Sequence, residues 1–109
     1  MTEKRFEKQF SHAVFFTLED KDIYKQEKLI KDCYAYLRNH RGVVFFAAGH
    51  RDTEQMRDVN VQDYDVSLII VFENKQYQEQ YQSSKKHLEF IERNKSNWTS
   101  VQVFDAYVD

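Results

Sequence analysis

The sequence predicts an α+β domain in which four strands and two helical regions follow in the order β-α-β-β-α-β. Three observations support this. Four short runs are rich in β-branched and aromatic residues, segments with helical spacing separate the first run from the second and the third from the fourth, and the first three runs are apolar on both faces. This order is typical of the ferredoxin-like split βαβ unit, an antiparallel sheet with both helices on one face.

The composition fits a single folded domain and argues against several kinds of partner. With 109 residues, 41% of them hydrophobic and 16% aromatic, the chain can bury its own core. Acidic and basic side chains are mixed and the net charge is −2, so we expect neither nucleic-acid binding nor a membrane span. The charged start and the single cysteine, Cys33, predict a cytoplasmic protein without an internal disulfide.

The predicted strands are short and cover residues 11–18, 43–50, 63–72 and 99–108. In the first strand, a period of two puts His12, Val14, Phe16 and Leu18 on one face. Gly49 is expected to mark a bulge or the end of the second strand.

Each helical region begins at a residue that can cap it. Asp20 or Asp22 caps the first helix, which is predicted to run to about residue 40, and Gly42 suits its C-terminal cap. His40 is expected to interact favourably with the dipole at that helix end. Asn74 caps the second region to about residue 83, and a further short helical segment follows to about residue 95.

Two segments lie outside this pattern. Residues 1–10 are predicted to form an N-terminal arm that is ordered if Phe6 and Phe10 dock, and the domain then spans residues 11–109. Residues 51–62 are polar and aperiodic and form the longest connection, which we interpret as a mobile flap over a pocket.

The strands also predict how the chain associates. Two helical regions cover one face of a sheet, yet the first three strands are apolar on both faces. Because a large bare apolar face is unfavourable in water, we expect a homodimer that packs sheet against sheet through the open face.

Several short segments occur in an order and spacing that are typical of a known family. These are Ser11-His12-Ala13-Val14-Phe15-Phe16, Tyr64-Asp65-Val66 leading to Val71-Phe72-Glu73, Tyr81 through His87-Leu88-Glu89-Phe90-Ile91, and Trp98 followed by Val103-Phe104-Asp105-Ala106-Tyr107. Over residues 11–108 the chain resembles the stress-responsive A/B barrel (Dabb) domain family. The resemblance implies a dimeric α+β barrel over residues 11–109, in a family where many members have no assigned activity.

One plant branch of that family, the olivetolic acid cyclase-like enzymes, closes a linear polyketide by aldol condensation in a pocket between sheet and helices. By this resemblance, His12, Tyr81 and His87 would line a ligand pocket here. Tyr34 would match a tyrosine of the first helix, although Tyr36 could take that place.

The candidate catalytic residues are His87 and Tyr81. Imidazole exchanges protons near neutral pH, so His87 can act as a general base while Tyr81 polarises a carbonyl beside it. The alternative is a structural histidine bonded to the backbone beside a core tyrosine. The family pattern is broken at Ser84 and Val66, where histidines are expected. Asp105 interrupts an apolar strand, so we expect it to be paired or exposed.

The sequence is compatible with three functions. The first is a small-molecule-binding homodimer of the Dabb type without established chemistry, whose ligand is apolar or carries a carbonyl group. The second is a cofactor-free enzyme acting on a carbonyl or polyketide-like compound, and the third, by fold analogy alone, is a monooxygenase-like oxidase. We expect no cofactor. We also expect no metal site, since the four histidines and Cys33 show no ligand spacing.

Overall fold

A computed structural model describes residues 8–109 of the chain. Its elements follow the predicted order, with the second helical region formed by two helices. They are β1 (Gln9–Leu18), α1 (Ile23–Leu37), β2 (Val43–His50), β3 (Val66–Phe72), α2 (Lys75–Gln82), α3 (Lys85–Asn94), a 3₁₀ turn (Lys95–Asn97) and β4 (Trp98–Val108).

The four strands form one antiparallel sheet in the order β2-β3-β1-β4. β1 lies in the middle, with His12 opposite Ile70 of β3 and Asp105 of β4. All helices pack on one face. The predicted ferredoxin-like arrangement is therefore confirmed.

Alternation along the strands determines which side chains reach the core. Every second residue of β1 from Phe10 to Leu18 is buried, and so is every second residue of β3 from Val66 to Phe72. The helices contribute Leu29, Cys33 and Leu37 from α1, Tyr81 from α2 and Phe90 from α3. His12, predicted on the same face as Val14, is buried among these residues.

Three side chains cap the helices by accepting a backbone N–H. Asp22, rather than Asp20, accepts from the Tyr24 N–H at 2.9 Å and begins α1. Asn74 accepts from the Tyr77 N–H at 3.1 Å, as predicted for α2. Ser84 separates α2 from α3 and caps the latter.

The prediction for Gly42 needs correction, whereas Gly49 lies next to the end of β2, one of the two roles predicted for it. α1 ends at Leu37, too early for Gly42 to serve as its cap; Gly42 instead turns the chain into β2 with φ at +88°. The Tyr77 ring lies over this glycine, where a Cβ would be 2.2 Å from its Cγ. Gly49 pairs regularly with Ser67, and the bulge of β2 lies at Val44.

The ends of the strands also differ from the prediction. β1 begins two residues earlier, at Gln9, and Phe10 is buried, while residues 1–7 with Phe6 lie outside the described residues. β3 begins at Val66 because the preceding Asp65 has other partners. Its N–H donates to the Phe16 carbonyl, and its carboxylate accepts from the Leu18 N–H and from Lys21, each at 2.8 Å.

The opposite face of the sheet is apolar and uncovered. It carries Phe15 of β1, Phe45 of β2, Ile69 of β3 and Phe104 of β4, with Tyr64 packed edge-on against Phe15. Phe45 and Phe104 are 53% and 59% exposed. Across the described residues, no helix is long and apolar enough to cross a membrane.

Candidate functional site

A cavity of about 180 Å³ lies between the sheet and α3. Its lining is largely apolar and comes from both layers. The lining residues are His12, Val14, Phe16, Leu37, Leu68, Tyr81, Gln82, His87, Phe90, Ile91, Trp98, Val101 and Val103. Val101 and Val103 belong to the edge strand β4 and are 41% and 48% exposed, so the cavity is open along this edge.

On the sheet side, His12 is held by Asp105. The two residues are directly opposite on β1 and β4, and His12 Nδ1–H donates to Asp105 Oδ1 at 2.6 Å. His12 is 4% exposed, whereas the Asp105 side chain is 39% exposed. The carboxylate therefore has its expected partner, and the bond fixes the histidine ring at the back of the cavity.

Tyr81 stands at the centre of a group of aromatic rings. Its ring lies 5.8 Å from that of His12, 5.0 Å from that of His40 and 4.7 Å from that of His87. Tyr81 is 2% exposed, and burial raises the pKa of its hydroxyl far above the usual range. The hydroxyl therefore stays protonated and can serve as a hydrogen-bond donor.

His87 is placed by the helix break predicted from the sequence. The Ser84 hydroxyl accepts the His87 backbone N–H at 3.1 Å, which starts α3 and turns the imidazole toward Tyr81. The ring nitrogen Nδ1 is buried and has no hydrogen-bond partner among residues 8–109. Burial lowers the pKa of His87 below 6.5. The nearby rings of His12 and His40 lower this pKa further, whereas the Gln82 backbone raises it.

Trp98 adds a further polar atom to the cavity. Its indole packs against Phe16 and Phe90, with ring centroids 5.1 Å and 5.9 Å away. The indole Nε1–H is buried and, like His87 Nδ1, has no partner in the described part of the chain. Buried polar atoms normally find partners, and these two unpartnered atoms belong to residues that line the same cavity.

The structure brings together three of the four predicted pocket residues, His12, Tyr81 and His87. Tyr34 lies elsewhere. Its ring packs against Phe46 at 5.1 Å, and its hydroxyl accepts the Ala48 N–H at 3.3 Å. The predicted flap is not part of this site either, because no described residue of the 51–62 segment lines the cavity.

His40 is a neighbour of the site that the sequence did not reveal. Its Nε2–H donates to the Tyr36 carbonyl at 2.9 Å, close to the predicted role at the end of α1. The same ring packs against Tyr81, behind the cavity. Its position 41 residues before Tyr81 in sequence offers no local signal of this contact.

Outside the cavity, reactivity could come from the Cys33 thiol or from side chains that bind a metal ion. Cys33 is fully buried in the core, and burial together with the Asp32 charge raises the pKa of its thiol to about 12. Cys33 therefore packs in the core, as expected. Because its thiol stays protonated near neutral pH, it is not a nucleophile. Within residues 8–109, no three His, Cys, Asp or Glu side chains gather in a way that could hold a metal ion.

Several solved structures have a similar fold. A Dabb family protein with a ferredoxin-like fold from Mesorhizobium loti is 19% identical, with 91% of this chain and 95% of that chain covered and a TM-score of 0.75. A dimeric ferredoxin-like protein of unknown function from Thermobifida fusca is 13% identical, with coverages of 93% and 92% and a TM-score of 0.76.

A third similar structure is a hydroxynitrile lyase from Passiflora edulis, 15% identical, with coverages of 94% and 95% and a TM-score of 0.76. At these identities, the likeness shows the fold alone. No curated protein matches the sequence. The family model of the stress responsive A/B barrel domain, Dabb, matches residues 10–108. The chain therefore belongs to the Dabb family.

Proposed function

We propose that the protein binds a small, largely apolar carbonyl compound in the cavity between sheet and α3, and that it works as a homodimer. The observation that carries the proposal is the buried Nδ1 of His87, which has no partner among the described residues and lies in an otherwise apolar lining. Small-molecule sites typically combine such a lining with a few polar groups that orient the ligand.

The volume of the cavity limits the size of the ligand. An apolar cavity of about 150 Å³ is known to hold benzene. The cavity here measures about 180 Å³, which suits one aromatic ring with a short substituent. The Tyr81 hydroxyl and the Trp98 N–H are donors for the oxygen of that substituent.

The proposed dimer is supported by the uncovered face of the sheet. Phe45 and Phe104 leave more than half of their surface in water there, flanked by Phe15 and Ile69. A second copy packed on this face would bury these side chains, which stabilises association by roughly 25 cal/mol per Å² of apolar surface. The Thermobifida fusca structure, described as dimeric, supports association into a dimer.

Cofactor-free proton transfer is the second candidate, and the environment of His87 favours it. With its pKa below 6.5, the imidazole is neutral at pH 7 and can accept a proton from the carbon next to a carbonyl. The protonated Tyr81 hydroxyl would then stabilise the charge that develops on the carbonyl oxygen. A lyase in Passiflora edulis shows that this fold can carry an enzyme.

Binding of acetophenone, a single-ring ketone, tests the proposed ligand class. Chemical-shift titration should show saturable binding, with affinity reduced at least about tenfold in His87→Ala because a hydrogen bond and packing are lost. His50→Ala is the matched control, since His50 is exposed and bonds Gln26 away from the cavity. Equal affinities of wild type and His87→Ala would remove His87 from the site, and absence of binding would overturn the ligand class.

Deuterium exchange tests the chemistry separately. In D₂O, wild-type protein should speed incorporation of deuterium into the acetophenone methyl group, and His87→Ala should abolish the acceleration. Tyr81→Phe should lower it, because it removes the donor to the carbonyl oxygen. Saturable binding without any acceleration would leave a binding protein and eliminate the enzyme.

A further inference from the structure

A second cavity, of about 150 Å³, lies at the junction of α1, α3 and the 3₁₀ turn. Unlike the first, it is cationic. Its lining residues are Leu18, Lys25, Lys28, Leu29, Arg93, Asn94, Ser96, Asn97 and Trp98. Among these described residues there are three cationic side chains and no acidic one.

Part of this charge is neutralised from below by Asp32. Arg93 donates to the Asp32 carboxylate through Nε and Nη2 at 3.0 and 3.3 Å, and Lys28 Nζ lies 3.4 Å away. Burial alone would raise the pKa of this carboxyl. Hydrogen bonds from Arg93 and Asn94 and the charges of Lys28 and Arg93 hold it below its usual value of 3.8.

Lys28 and Arg93 share this one carboxylate, and Lys25 is not paired with it. Its ammonium group has no hydrogen bond or ion pair within residues 8–109, and Lys25 lines the cavity together with Ser96. Lys28 is held in place by the Arg93 carbonyl and Asn94 Oδ1, each at 3.1 Å. Fixed cations beside a free one form an arrangement that suits an oxyanion.

We propose that this cavity binds an oxyanion, such as a phosphate or carboxylate group, through Lys25, Lys28 and Arg93. A water occupies about 30 Å³ in the liquid, so the cavity has room for a tetrahedral oxyanion and bridging waters. The site is separate from the proposed carbonyl pocket, and the wall common to the two is Trp98.

The two cavities lie end to end along α3. On α3, Phe90 lines the first cavity and Asn94, one helical turn later, lines the second. On β1, Phe16 lines the first cavity and Leu18 lines the second. The oxyanion can thus be a free ion or the charged end of a compound whose ring lies in the first cavity. Both sources use the same cations, and the experiment distinguishes them.

The first arm uses inorganic phosphate and does not depend on the carbonyl pocket. Phosphate titrated into the protein at low ionic strength should shift the amide signals of residues 93–98. Lys25→Ala should weaken binding about tenfold, the value of one charge-assisted hydrogen bond, and Lys25→Arg should retain it. Lys31→Ala is the matched control, because Lys31 is an exposed lysine of α1 outside the cavity.

The second arm compares 4-phenylbutyrate with its uncharged amide. Tighter binding of the acid, with the difference abolished by Lys25→Ala, assigns the cavity to the charged end of a longer ligand. Equal binding of acid and amide, with phosphate bound, assigns it to a free anion. Equal loss of phosphate in Lys25→Ala and Lys31→Ala, or no saturable binding of phosphate and no preference for the acid, would overturn the oxyanion site.

Discussion

The two faces of the sheet are both apolar, but they differ in what covers them. On the helix-covered face, Val14, Phe16 and Leu68 are no more than 5% exposed. On the open face, Phe45 and Phe104 are 53% and 59% exposed. Large apolar side chains occur on both faces of the strands, so strand composition does not distinguish a face that the chain covers itself from one that is left for another molecule.

The covered side of the sheet also holds buried histidine and tyrosine side chains. His12 and Tyr81 are buried there beside His87, and the layer of helices does not fill the space near β4 completely. The helices therefore create both a core and a cavity. The open face, in contrast, offers area for association and no comparable set of polar groups.

A charge on the open face should have the largest effect, and it should act on the proposed dimer. Ile69→Lys places a lysine at the middle of this face on β3, and the two-fold symmetry of the proposed dimer puts two such charges into one interface. Burying unpaired charges costs several kcal/mol, so the dissociation constant should rise by about 1000-fold or more. Sedimentation velocity measures the change.

The control for this experiment is Glu89→Lys, which introduces the same side chain at an exposed position of α3. It should leave the association state unchanged. If wild-type protein is already a monomer at micromolar concentration, the dimer is excluded, and the open face needs a different explanation.

Two adjacent phenylalanines of β1, Phe15 and Phe16, lie on opposite faces of the sheet. Phe16→Ala removes a ring that is 2% exposed beneath the helices, and it should lower the free energy of unfolding by about 3–5 kcal/mol at every protein concentration. Phe15→Ala, on the open face, should cost less at low concentration and more at concentrations where the dimer forms. Urea denaturation at two concentrations separates the cases, and parallel concentration dependence for both variants would contradict a dimer through this face.

The smallest predicted effect concerns His87 and pH. Because the pKa of His87 is below 6.5 in the folded state, the unfolded chain takes up its proton first as the pH falls. Stability should therefore decrease from about pH 6.5 downward, through the lower pKa of the folded state. His87→Gln should reduce this decrease in stability, by an amount smaller than the cost of Phe16→Ala. Urea denaturation between pH 7 and 5 measures it. If the free energy of unfolding changes with pH equally in wild type and His87→Gln, the pKa of His87 is not lowered in the folded state.

Most of the fold was predictable because it follows from local patterns. Alternation in 11–18 correctly put His12 and Phe16 on the same face, which the structure shows to be the covered one, and Asn74 capped its helix as expected. Gly42 was misinterpreted for a tertiary reason. Gly42 is needed where the Tyr77 ring crosses the chain, a contact between residues 35 positions apart.

The candidate site was predictable where a residue's face was predictable. His12, Tyr81 and His87 lie on buried faces and meet in one cavity, whereas Tyr34 of α1 packs against Phe46 of β2. His40 lies in a connection, where periodicity carries no information about direction. The cationic cavity also escaped prediction, because it combines residues of α1 with residues near the end of α3, more than 60 positions away.

Trp98 has a practical consequence, since it is the single tryptophan of the chain. Its indole stands in the wall common to the two cavities, beside Phe16 and Phe90. A compound that fills either cavity changes the polarity around the same fluorophore. The unmodified protein thus carries its own optical reporter, and adding an uncharged ring compound and an inorganic anion in either order would resolve the occupancy of each cavity from emission alone.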